Sequence, residues 1–275
     1  MILSNLSIFR VRQIIFSGLF ALTSAAFCQY APEGIQLSEM TPPAANETPQ
    51  AALAQIQANV DKIKTLKANL VLDQKMRKED KIKAAKKKAA HANVEKTTPP
   101  KWPKEPEGRR VKGGPVELTR GSGAHLVVSR KGSTDEYVIN HQVIWSYDHG
   151  DKEAQYIPAN LPMLSTFTDA AFKLNIFVAV DMETVKLRGT QSINGEECWV
   201  IDGKSPEKLS TAGVDPTKLR FWISKKDGVP RLIKIPEERE AYVVMKDIVL
   251  NAPTDPAQYN WQPPAGVDKK NMFGF

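Results

Sequence analysis

Four histidines, two cysteines and scattered carboxylates are the residues of this 275-residue chain that could do acid–base, nucleophilic or metal chemistry. The histidines are His91, His125, His141 and His149, and none stands at ligand spacing from acidic partners. His141 and His149 flank an apolar run and read as turn residues. No HExxH, GxSxG, CxxC or glycine-rich phosphate loop is present. The carboxylates form no pair placed for acid–base work along the chain, although carboxylates distant in sequence can meet in space. Cys198, beside Trp199, reads as a small buried residue. No catalytic residue, metal or cofactor is expected, and the chain does not read as an enzyme.

The elements that must position any other function begin after a targeting segment. Arg10 and Arg12 precede an apolar run from Ile14 to Phe27, broken by Ser17, Gly18, Thr23 and Ser24. A basic start and a short apolar core are the pattern of a secretory signal, assigned here to residues 1–28. Cleavage after Ala26 or after Cys28 would place small residues at the recognition positions. A lipoprotein anchor at Cys28 is disfavoured, because Phe27 stands where a small residue is required. Export with Cys198 as the one lasting cysteine means no internal disulfide, so an apolar core must hold the domain.

The formal charge of +7 is unevenly placed. From Lys75 to Lys112 there are fourteen Lys or Arg against five Asp or Glu, so the remainder sums to −2. This basic insertion, 77–112, is alanine- and lysine-rich and then proline-rich. It reads as a solvated helix followed by an extended linker. Its bland role is a polar insertion; its functional role is contact with an anionic surface. Trp102 is its one aromatic, so base stacking is not expected and nucleic acid is not a partner.

Residues 29–47 are rich in Pro, Ala, Glu and Thr and read as a disordered leader. Thr48 and Pro49 form an N-cap and first helical position, and Leu53, Ile56, Val60 and Ile63 recur at helical spacing. A helix over 49–63 follows. Then come about eleven short strands with polar or glycine turns, interrupted by an apolar helical excursion between Pro162 and Val180. Short connections favour antiparallel pairing. Several strands are apolar on both faces: Trp145 alternates with Ile144, Trp199 with Cys198 and Val200, and Trp222 with Phe221. A strongly curved antiparallel sheet, a half-open barrel with helices over its concave face, would explain this by enclosing a cavity. A plain sheet with ordinary packing on both sides would explain it equally. The fold class is α+β.

The closing segment AQYNWQPPAGVD, residues 257–268, resembles that of LolA-type outer-membrane lipoprotein carriers. The resemblance rests on Tyr259, Trp261, Pro263, Pro264, Gly266 and Val267. The order of VDKIKTLKANLVLDQK, VELTR and QVIWSYD, with the mid-chain helical stretch and late hairpins, agrees with it. It implies an eleven-stranded half-barrel under an N-terminal helix and short mid-chain helices, over a lipid-binding domain at 48–268, with 269–275 a tail. It also implies that Arg120, ending VELTR, latches the helical lid by donating to lid backbone. The chain departs from the family in having Gly121 where proline often follows the arginine, in the basic insertion, and in a shortened or missing last strand.

The resulting expectation is a monomeric periplasmic carrier for the acyl chains of lipoproteins or a related lipid. It would take cargo from an inner-membrane donor complex and pass it to an outer-membrane acceptor. One sixteen-carbon chain represents roughly 12 kcal/mol of apolar exposure in water, which a carrier must shield. Candidate lining residues are Leu126, Val128, Trp145, Tyr147, Phe172, Leu174, Phe177, Trp199 and Trp222. Periodicity leaves open which face of each strand is concave. The alternative is a non-transporting envelope interaction or sensor protein on the same fold, docking partners through its basic insertion.

Overall fold

The computed structural model describes residues 31–75, 109–130, 133–159, 168, 172–174, 180–205, 218–235 and 240–272. The signal segment, residues 77–108 of the insertion, Phe177 and most of the mid-chain helical excursion lie outside the described residues.

One helix, α1 (Pro49–Val60), precedes β1 (Thr65–Lys75), β2 (Arg109–Thr119), β3 (Gly123–Arg130), β4 (Ser133–Ile139), β5 (Val143–Asp148) and β6 (Glu153–Pro158). These are followed by β7 (Asp181–Ile193), β8 (Glu196–Lys204), β9 (Lys218–Ser224), β10 (Pro230–Ile235), β11 (Ala241–Leu250) and β12 (Lys269–Asn271). All twelve join one open sheet in the order β12-β6-β5-β4-β3-β2-β1-β11-β10-β9-β8-β7. Neighbours are antiparallel except β12, which runs parallel to β6. The described residues are thus mostly sheet, as the short alternating runs require. At the β7–β8 turn Asn194 and Gly195 both take positive φ, the geometry that a two-residue Asn-Gly hairpin demands.

The aromatic segment around Tyr259 forms a 3-10 turn, Pro256–Asn260, capped by the Asp255 side chain. Three expectations need correction. Among the described residues there are twelve strands, and residues 269–271, assigned to a tail, form the last of them. β2 begins at Arg109, so Arg109–Lys112 belong to the sheet and not to the insertion. The described leader is ordered: it lies along β7, with bridges Leu37 to Ile193 and Thr41 to Thr190. Its own composition gives it no periodicity; the backbone groups of an edge strand supply its partners.

The sheet carries apolar cores on both faces. On the helix face, Ile56 and Val60 of α1 pack with Leu66, Leu70, Val116, Trp199, Phe221, Ile233 and Val243. On the opposite face Cys198, Val200, Trp222, Leu232, Tyr242 and Val244 pack together, with Ile35 of the leader against them. A further cluster on that face holds Val138, Trp145, Tyr147 and Ala154, covered by Trp261 and Val267 of the C-terminal segment. The strands are therefore apolar on both sides because each side has its own cover. The residue facing away from Phe221 sees a second core.

Candidate functional site

The β2–β3 turn, Arg120-Gly121-Ser122, is where three parts of the chain meet. Arg120 donates from Nε to the Ile63 carbonyl at 2.8 Å and from Nη2 to the Val60 carbonyl at 2.6 Å. Its backbone N–H donates to the Lys64 carbonyl at 2.8 Å, and Nη1 stands 3.9 Å from Asp61 Oδ1. Val60 ends α1, where carbonyls lack intrahelical partners and the helix dipole is negative. A planar guanidinium with several fixed donors suits that end. Gly121 N–H donates to the Phe172 carbonyl at 3.0 Å. His141 Nε2 lies 2.8 Å from the Gly121 carbonyl, and its ring stacks on Phe172 with centroids 4.2 Å apart. One tight turn thus holds the end of α1 and a piece of the mid-chain segment.

Behind this turn Tyr259 is buried, its hydroxyl 2.7 Å from Thr119 Oγ1. The Tyr259 carbonyl accepts from Asn140 Nδ2 at 2.7 Å. The aromatic closing segment buttresses the β2–β3 turn through Tyr259, while Trp261 meets Trp145 edge-on and Tyr147 at a tilt.

The candidate lining residues divide between the two faces. Leu126, Leu174 and Trp199 pack on the helix face. Val128 shares it, two residues along β3 from Leu126 in unbroken register. Trp145 and Tyr147 lie on the opposite face, and so does Trp222, whose indole donates to Gln191 Oε1 at 2.6 Å. A single cavity cannot include all of them. Phe172 is half-buried at the β2–β3 turn. Around the helix-face core, Leu72, Leu118, Leu126, Ile248 and Leu250 are only partly buried. A separate groove of 1020 Å³ lies at the end of the sheet where β10 stops short of β11, lined in part by Ile35, Ile193, Lys226, Lys246 and Ile248.

Sequence reasoning missed two groups. Glu136 bridges two histidines, with His125 Nε2 2.8 Å from Oε1 and His149 Nε2 3.0 Å from Oε2. Sheet register, not spacing along the chain, brings them together. Glu47, placed in the leader, accepts from the Trp199 indole at 2.8 Å. Its position just before the Thr48 N-cap was the one available signal. Cys198 is buried and its thiol is pushed up to about 12, chiefly by burial.

No family model matches the chain, and no curated protein matches it in sequence. Among solved structures it is similar to an uncharacterized conserved protein from Thermus thermophilus, at 13% identity over 81% of this chain and 98% of that one, with a TM-score of 0.49. It is similar to lipoprotein LppX of Mycobacterium tuberculosis, at 11% identity over 75% and 97%, TM-score 0.41. A LolA superfamily protein from Nitrosomonas europaea is also similar, at 8% identity over 76% and 96%, TM-score 0.35.

Proposed function

We propose that the helix face of the sheet is an acyl-chain-binding surface closed by α1, and that the chain carries lipoproteins or a related lipid through the periplasm toward the outer membrane. The observation that carries this reading is Arg120. Its two side-chain bonds to Val60 and Ile63 tie α1 down by backbone carbonyls, at a site where the helix buries little of its own surface. Ile56 and Val60 are the two large side chains α1 buries, each worth about 1.5–3 kcal/mol. A helix held this lightly can lift, and lifting it would uncover apolar side chains that suit alkyl chains. The half-barrel curvature and the mid-chain lid belong to this reading.

The test loads an environment-sensitive acyl probe into the purified mature chain, then adds a triacylated lipopeptide or its unacylated peptide. Displacement by the acylated form alone, with retention shortened in Arg120→Leu, is expected. No probe binding in either protein would sink the carrier reading and leave the envelope interaction protein ahead of it.

A further inference from the structure

We propose that Glu47 is a second latch, at the end of α1 opposite Arg120, and that loading requires both to release. The proposal rests on the carrier reading above. The buried stripe of α1 is narrow, consisting of Ala52, Ile56 and Val60. A twelve-residue helix with so thin a stripe depends on what fixes its ends. At the C-terminal end Arg120 takes the Val60 and Ile63 carbonyls.

The N-terminal end is fixed by different chemistry. Glu47 directly precedes Thr48, whose hydroxyl caps the helix by accepting from Ala51 N–H. The Glu47 carboxylate accepts from Trp199 Nε1 at 2.8 Å, and Lys225 Nζ lies 3.6 Å from the same oxygen. Lys225 also stands over the Trp199 ring, 5.5 Å from its centroid. Trp199 is buried in the helix-face core on β8, so Glu47 is tied to the sheet itself. The indole bond first, and Lys225 after it, hold the Glu47 carboxyl below its ordinary range, so the latch stays charged at neutral pH. A negative group before the first turn and a cation at the last both agree with the helix dipole.

The two latches grip different parts of the sheet. Glu47 is fixed to β8 and to the start of the β9–β10 turn; Arg120 sits on the β2–β3 turn. That β9–β10 turn runs close under the helix: Gly228 has no room for a Cβ, which would lie 2.8 Å from the Ile56 carbonyl oxygen. Asn59 Nδ2 donates to the Lys225 carbonyl at 3.2 Å. Releasing Arg120 alone therefore leaves α1 pinned at its start and along the β9–β10 turn. Glu47 acts here as a positioning residue for the lid.

The experiment compares the purified mature chain with its Glu47→Gln, Glu47→Ala, Arg120→Leu and Glu47→Ala/Arg120→Leu variants. It reads hydrogen exchange of the α1 amides and the loading rate of the acyl probe. Glu47→Ala should raise both by about tenfold, the scale of one charge-assisted hydrogen bond at a partly exposed site. Glu47→Gln should raise them less, because the amide oxygen still accepts from Trp199. The double variant should multiply the two single effects. Raised exchange with wild-type loading would make the contact structural and overturn the proposal. Exchange at wild-type rates would overturn the latch itself. Raised exchange with no probe binding in any variant would overturn the loading role through failure of the carrier reading, and the exchange data tell that case from a failed latch.

Discussion

Replacing Gly189 by alanine tests whether the leader is part of the fold. Gly189 sits at φ +143°, a region open mainly to glycine. A Cβ built there would stand 2.0 Å from the Thr41 carbonyl oxygen, where ordinary contact begins at 3.4 Å. The leader must retreat by about 1.4 Å, the difference between these distances. That breaks the reciprocal pair in which Thr41 N–H donates to the Thr190 carbonyl and Thr190 N–H to the Thr41 carbonyl, both at 2.8 Å. Two exposed backbone bonds at about 1 kcal/mol each, with about 1 kcal/mol of backbone strain, cost leader docking about 3 kcal/mol. Hydrogen exchange at Thr41 and Thr190 should then accelerate about a hundredfold. Ser38, whose N–H reaches the Ser192 carbonyl at 3.0 Å, lies further along the strap and should change less. Thr41 and Thr190 exchanging in Gly189→Ala at wild-type rates would refute the reasoning, since the leader would then not be held where the glycine admits it.

Acid should destabilise the domain only below the ordinary carboxylate range. Glu196 and Asp202 are pushed up by burial, but hydrogen bonds from Arg231 and Ser224 in one case, and from Arg220 and Arg188 in the other, outweigh it and hold both below 4.5 and 3.8. A depressed carboxyl contributes stability above its unfolded pKa and loses it as pH falls through the folded one. Denaturant midpoints should stay level from about pH 7 to about pH 5 and fall below about pH 4; a midpoint that rises on acidification would contradict this. Arg109→Met should cost about 3 kcal/mol in a denaturant titration, because it removes the guanidinium that meets the buried Asp73 carboxylate at 2.6 Å. Adding Asp73→Leu to that variant should recover most of the loss.

Much of the scaffold was legible in residue order. Short apolar runs between polar turns gave the strands, the Asn194-Gly195 pair gave a hairpin, and Thr48-Pro49 gave the start of α1. These features are local: turn geometry and capping depend on residues a few positions apart. The C-terminal segment was identified as a motif, yet its 3-10 turn was not. Tyr259 owes its place to Thr119 and Asn140, more than a hundred residues away.

By itself the sequence determined a sheet-rich chain with one amphipathic helix before its strands and a latch candidate at Arg120. Only the tertiary structure decided which face each aromatic serves. Trp199 and Trp222 look alike along the chain, each in a strand apolar on both sides. Strand pairing sends Trp199 under α1 and Trp222 to the far core beneath Ile35. The leader shows the same limit from the other direction. Its residues carry no pattern, because its order comes from the open edge of β7 and from a glycine that lets the backbone approach. Alternation fixes that neighbours point opposite ways; it cannot say what covers either side, because that depends on contacts made across the whole chain.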